Sequence, residues 1–485
     1  MGWITKSRER GRKNIQWYNP RMPAAQQRFF RLLLTIFFVA AFLRIAGYAL
    51  LFARENLQMD FASFYTAGQA MDHGLSPYQN YLNEPSGIWD GINILAHSRF
   101  HYPPLAANFF QIFTLLPFQS AKVLWTGIEA LCLWASLVIS LKVMQRPPHA
   151  NSLLVLGTFA CLSYPVLILF ERGQVDTLTL LLLVIGFAWI VRRRKTFWAG
   201  ILFALAALLK LNCVYIFPFL VLRRQWKAAG GFVAGGIGLF LLSTLLNGPA
   251  SSLDYIREEI PYISNFGQIT VSEEDPFMQT FQEVVKDLPA GYTLKDGHRY
   301  RGTLMLFDEN ATLVRTRIST WIKTIARRLF RWELNVSSLS LLYFGVAFSL
   351  FVGWERRQHF LTQEAGPAME VAYWQIPLVM ILLCAPLTWV MSCVWLLPAA
   401  PVFIWEISQL GSSESMARWR GLILSICAGT LGLLLVAIPD AWGFRMLVPY
   451  GENFVKYKYV LGELFVLGGL MGILHVRRSQ ETAAS

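Results

Sequence analysis

Four short stretches of this chain carry residue types that do chemistry. The first is Met59-Asp60-Phe61-Ala62-Ser63-Phe64-Tyr65. A carboxylate flanked by aromatic rings is partly desolvated and can take a proton from a substrate hydroxyl. The same Asp is a good N-cap for a helix beginning at Phe61, and position alone favours that capping role. The second stretch is His101-Tyr102-Pro103-Pro104-Leu105, where two prolines forbid helix through the turn and prepare one just after it. The new N-terminus either faces a phosphate or marks a plain loop-to-helix boundary. In the third, Glu171-Arg172-Gly173-Gln174-Val175-Asp176, Gly173 allows close backbone approach while Gln174 and Asp176 offer hydrogen bonds to sugar hydroxyls. Its alternative is a polar junction in which Asp176 caps the next helix. The fourth is Lys210, set between Leu209 and Leu211. A cation inside an apolar segment marks a pathway or an anion site, unless it snorkels or pairs with a buried acid such as Glu129. Arg44 reads as a snorkelling or paired residue. His73, His97 and His101 raise the thought of zinc, but no HExxH pattern accompanies them and no metal is expected.

The segments that must position these residues are strongly apolar. Hydrophobic residues make up 55% of the 485 and charged ones 15%, with a mean hydropathy of +0.42. A water-facing surface needs roughly twice that charge, which excludes a soluble enzyme, a disordered chain and a disulfide scaffold. Apolar runs of ~18 to 25 residues match the helical crossing of a bilayer. The fold class is therefore an all-α polytopic membrane protein, with about 12 transmembrane helices expected at that length per span. The net charge of +13 sits in short clusters between the apolar runs, as the positive-inside rule requires, and not as a nucleic-acid surface. The six cysteines (Cys132, Cys161, Cys213, Cys384, Cys393, Cys427) lie in apolar stretches without CxxC spacing and read as buried free thiols.

Charge also orients the chain. Residues 1–28 carry seven Lys/Arg against one Glu and are expected in the cytoplasm. The run from Phe29 to Phe52 lacks a small-residue cleavage site and reads as a spanning helix that stays attached. Loop 53–103 inverts the balance, with two Arg and five acids, and is expected outside. Pro104–Pro117 is too short to cross and reads as a half-helix on the outer side. Thr196–Leu222 lies between two basic clusters and is too short for two passes, which need ~40 residues. It predicts a shallow hairpin of two short helices, with Lys210–Asn212 at the tip, entering from the cytoplasmic side. Such broken backbone is tolerated only inside protein or against a cavity. A second outer loop, 247–335, is long enough for helices of its own and ends in a basic amphipathic stretch, 315–332, suited to a membrane surface. The expected divisions are thus 1–28, 29–246, 247–335 and 336–485, the last supplying the C-terminal spans.

Taken together, these pieces resemble the polytopic GT-C glycosyltransferases, and among them glycosyltransferase family 87, whose members use polyprenyl-phosphate mannose. The matching residues are Asp60-Phe61 with Tyr65 and Ala67, Gly74 with Pro77-Tyr78, and Tyr102-Pro103-Pro104-Leu105. They continue with Ala121, Leu124-Trp125, Gly173-Gln174-Val175-Asp176, Ala199-Gly200 and Leu209-Lys210-Leu211, ending before Arg223-Arg224. The resemblance implies the GT-C fold and a sugar carried on a polyprenyl phosphate at the outer face of the plasma (cell inner) membrane. It implies transfer to a glycolipid or glycan acceptor with inversion, Asp60 serving as general base. Lys210, Arg172, His101 and Tyr102 would meet the donor phosphate, and Tyr65, Gln174 and Asp176 the sugar or acceptor. Asp72 or Asp176 is placed to share the base role. No cofactor or metal is implied, and stretch 315–332 would gather anionic lipid. The family often has Asn where this chain has Asp176, Pro soon after the Lys where it reads Asn212-Cys213, and His soon after Trp389. Mannose is the sugar the resemblance implies by default, and these departures leave a pentose or another hexose open. Two other classes compete: a transporter or flippase, which also uses broken helices and intramembrane cations, and a non-catalytic scaffold.

Overall fold

The computed structural model describes residues 23–54, 58–78, 100–144, 150–261, 292–295, 298–301, 336–358, 366–385, 388–409, 416–439 and 450–484. Nearly all of these are helical. α1 (Ala24–Arg54) is an unbroken apolar helix, and Phe29, Phe37 and Leu43 stand exposed along it, as side chains facing lipid do. Among the described residues eight helices are long and apolar enough to cross a membrane, or nine if one bent pair counts as a span. Three further apolar helices among the described residues, Asp176–Val191, Thr196–Leu209 and Leu211–Leu222, are shorter than a span.

The bent pair has a plain cause. α5 (Ala150–Leu162) and α6 (Tyr164–Arg172) meet at Ser163 with a 59° bend. Pro165 has no N–H to return to the carbonyl of Cys161, so the helix breaks there. Arg44 reaches across from α1 and donates to that Cys161 carbonyl at 3.3 Å. The intramembrane cation is therefore paired with backbone. Of the six thiols, five are buried as expected and Cys427 is exposed.

The hairpin forecast for Thr196–Leu222 is present. α7 (Asp176–Val191) leads to α8 (Thr196–Leu209), Lys210 is extended, a 3-10 turn covers Leu211–Tyr215, and α9 (Ile216–Leu222) follows. α10 (Trp226–Asp254) then runs beside α8 in the same sense. Gly200 meets Ala228 and Phe232, and Gly235 meets Ile201 and Ala204, approaches that any Cβ at those glycines would block. Phe217 of α9 packs on Phe232 with ring centroids 5.6 Å apart. Residues 200 and 217 thus share one level, and the chain turns back at Lys210.

Outside the spanning body, α2 (Met59–Asp72) packs on α3 (Pro104–Thr114) and on the start of α4 (Phe118–Met144) through a compact aromatic core. Phe64 stacks on Phe110 at 4.5 Å, and Phe61 lies against Phe113, Phe118 and Trp125. Gly248, with φ 77°, kinks α10, and a single π-helical turn spans Tyr255–Glu259. In the loop 247–335, where helices were expected, the described residues are helical as far as position 261 and also include a β-hairpin, β1 (Tyr292–Lys295) antiparallel to β2 (His298–Arg301). The amphipathic stretch 315–332 lies outside the described residues, as does His97. The chain closes with α11 (Val336–Gln358), α12 (Pro367–Cys384), α13 (Ala400–Gln409), α14 (Met416–Ala437) and α15 (Tyr450–Ala484).

Candidate active site

All four stretches, the fourth being the hairpin tip, converge where α2, α3, α6, α7 and α8 have their ends. α2 begins at Met59, so Asp60 lies in its first turn and is not the cap expected of it; Gln58 holds that position. The carboxylate of Asp60 receives a two-pronged bond from Arg172, Nε to Oδ2 and Nη2 to Oδ1, each 2.9 Å. The Gln174 amide donates to Oδ2 at 2.7 Å. Paired N–H donors in the guanidinium plane fix both the position and the tilt of a carboxylate.

Arg172 ends α6, and Gly173 caps it in the left-handed conformation, φ 67°. A Cβ at Gly173 would sit 2.8 Å from the Cβ of Phe61, so glycine is needed for both its torsion and its bareness. The turn then presents Gln174, and Asp176 opens α7 as its first residue, one place later than a cap. Lys210 reaches Asp176 Oδ2 at 3.1 Å. Glu129, the acid considered for Lys210, is not its partner. It is buried on α4 with no hydrogen-bond partner for either oxygen among the described residues, within Coulombic reach of Asp60 and Asp176. Both aspartates sit at helix N-termini and Lys210 follows the C-terminal residue of α8, each on the favourable end of a helix dipole.

Tyr102 links the two ion pairs. Its hydroxyl donates to Gln174 Oε1 at 3.1 Å, and Asp60, Asp176 and Lys210 all act on it electrostatically. Desolvation pushes its phenol up to about 12, so it stays a donor at neutral pH. His101 meets Glu259 Oε2 through Nδ1 at 3.3 Å, which ties the turn before α3 to the end of α10.

Two expected members stand elsewhere. The Tyr65 hydroxyl donates to the Leu116 carbonyl at 2.8 Å, joining α2 to the turn between α3 and α4. Asp72 accepts from Gln111 at 3.0 Å and Thr114 at 2.6 Å on α3. It lies twelve residues beyond Asp60 on one helix, about 18 Å at 1.5 Å per residue, and cannot share its task. Asp176 and Asp60 both act electrostatically on Tyr102 and Lys210. Sequence reasoning missed Gln58 altogether. His73 Nδ1 faces the Gln69 carbonyl of its own helix, and the described residues, which do not include His97, hold no group of three His, Cys, Asp or Glu suited to a metal ion.

The arrangement is a carboxylate held by a guanidinium fork beside a Lys–Asp pair, where several helices of the bundle have their ends. It can accept a proton at Asp60 and offer positive charge at Lys210. The family model for glycosyltransferase family 87 matches residues 100–364, more than half of the chain. That range takes in His101, Tyr102, Arg172, Gln174, Asp176 and Lys210 and begins after Asp60. No curated protein matches.

Proposed function

Because the chain belongs to glycosyltransferase family 87, we propose that this membrane glycosyltransferase takes its sugar from a polyprenyl-phosphate donor at the outer face of the plasma membrane. Mannose is the first sugar to test, and a glycolipid or glycan end is the acceptor. The observation that carries this reading is the Asp60 carboxylate fixed by Arg172 and Gln174. A base aimed by two rigid partners, with a cation in the same small volume, suits displacement at an anomeric carbon.

In the proposed reaction the acceptor hydroxyl gives its proton to Asp60 while its oxygen attacks the anomeric carbon. The bond from that carbon to the phosphate oxygen breaks, and its electron pair leaves with the lipid phosphate. A single displacement inverts the centre, so a β-linked donor yields an α-glycoside. Lys210 would exchange Asp176 for the departing phosphate, a form of charge stabilisation that needs no cofactor. His101 and Tyr102 would line the phosphate side, and Gln174 and Asp176 the sugar. Arg172 acts first on Asp60 and reaches the phosphate only through that position. The basic stretch 315–332 would draw anionic lipid toward the site.

The test is turnover in nanodiscs with synthetic β-linked polyprenyl-phosphate mannose, membrane extract supplying acceptor, read by mass spectrometry. Wild-type protein should consume the donor and form a new mannosylated product. Asp60→Asn should lose about 100-fold or more, the usual reach of a general base, with folded protein still recovered. Retained turnover in Asp60→Asn would falsify the base assignment.

A further inference from the structure

Gln58 is a non-glycine residue in the left-handed region, φ 65° and ψ 48°, two places before Asp60. That conformation puts about 1–2 kcal/mol of strain on an L-residue, so its surroundings must hold it there. Its amide N–H groups and its backbone are held, while its Oε1 is buried with no hydrogen-bond partner among the described residues. The side chain is fully buried. One amide hydrogen goes to Thr126 Oγ1 at 2.8 Å and the other to the Phe170 carbonyl at 3.1 Å. The Thr126 hydroxyl spends its own proton on the Lys122 carbonyl at 2.9 Å, which leaves its oxygen to accept.

The backbone of Gln58 completes the joint. Its N–H donates to the Glu171 carbonyl at 2.9 Å, and its carbonyl accepts from Ala62 at 3.0 Å, starting the helix that carries Asp60. Glu171 immediately precedes Arg172. The bond from Gln58 to Glu171 therefore sets the register in which Asp60 and Arg172 meet. Next to it, Trp125 Nε1 donates to the Gly173 carbonyl at 3.0 Å. Adjacent residues of α4, Trp125 and Thr126, thus pin the two strands of chain that supply the fork and its carboxylate. A Cβ added at Gly173 would stand 3.3 Å from the Cβ of Gln58, so the two left-handed residues are packed back to back.

We infer that Gln58, clamped by Thr126, is a positioning residue for the proposed base. It fixes where the Asp60 carboxylate lies against Arg172 and Gln174 without touching substrate. The inference rests on the reading of Asp60 as the base. A displacement of about 1 Å at a reacting group lowers turnover by as much as 100-fold. Loosening this joint should therefore act on kcat and spare donor binding.

The experiment compares Gln58→Ala, Gln58→Gly, Thr126→Val, Thr126→Ser and Asp60→Asn in nanodiscs, with kcat, donor KM and melting temperature measured for each. Gln58→Gly accepts the torsion but lacks the amide; Thr126→Val removes the acceptor together with the hydroxyl's bond to the Lys122 carbonyl within α4, and Thr126→Ser keeps both. Expected is a fall in kcat of about tenfold or more for Gln58→Ala, Gln58→Gly and Thr126→Val, the donor KM staying within about twofold. Thr126→Ser should turn over like the wild type. If Gln58→Ala does not fold, Thr126→Val decides. A folded Thr126→Val or Gln58→Gly with wild-type kcat overturns the inference, as does a loss that follows only the folded fraction. An active Asp60→Asn overturns instead the reading beneath it, so the two failures are told apart.

Discussion

Asp60 faces Arg172 and Asp176 faces Lys210, and the two pairs differ in what they hold. The first is a planar two-pronged bond, which only a guanidinium makes. Arg172→Lys keeps the charge and loses the fork, so turnover should fall by about tenfold or more while thermal melting in detergent shifts little. The second pair is a point contact that a phosphate can break. Taking the cation away from a buried carboxylate destabilises a protein by about 3–5 kcal/mol. Lys210→Met should therefore melt earlier, and Asp176→Asn in the same chain should recover most of that stability. Turnover should not recover, because the charge meant for the phosphate stays absent. Recovery of both would make the pair structural and move the phosphate site elsewhere.

At the scale of elements, these residues meet because helices stop at the right places. Gly173 ends α6 with a torsion that alanine resists, and a Cβ there would press on Phe61. Gly173→Ala should lower the melting temperature by the equivalent of about 1–2 kcal/mol of strain and reduce kcat as well, since Arg172 and Gln174 flank it. Arg44→Met, far from the site, should strand the Cys161 carbonyl at the Pro165 break and destabilise by about 1–3 kcal/mol without changing kcat per folded molecule. Much of this was legible in the sequence. The hairpin at Lys210 followed from length and charge together, because one pass of the 27 residues 196–222 would put two basic clusters on opposite sides and two full passes need ~40 residues. The break at Ser163 was also written, in Tyr164-Pro165, but an apolar run on both sides hid it. The pairing of Lys210 was not legible: Glu129 and Asp176 both lie within reach of that level of the bundle, and only packing selects between them. Gln58 left no signal, since a left-handed torsion on a non-glycine residue is imposed by its contacts and not by its type. Nor could spacing reveal that Tyr65 and Asp72, on the helix of Asp60, turn to α3 and the loop after it.

For the whole molecule the question is which side the site faces, and the distribution of charge supports an outer site, a proposal that labelling checks. Asp60 follows α1 directly, and the chain before that helix is strongly basic. From Asp176, beside the site, α7 runs sixteen residues to Val191, about 24 Å at 1.5 Å per residue, so Arg192–Lys195 sits near the opposite surface. Placing that cluster in the cytoplasm puts Asp60, Lys210 and the His101 turn at the outer leaflet, where a lipid-borne sugar is at hand and a soluble donor is not needed. His73 and Lys195 are both exposed, and Cys427 is the exposed native thiol. In a Cys427→Ser chain, His73→Cys should react with a membrane-impermeant maleimide in right-side-out vesicles. Lys195→Cys should react only after permeabilisation. The reverse pattern would turn the site to the cytoplasm and with it remove the reason for a lipid carrier, because soluble activated sugars would then reach Asp60 directly.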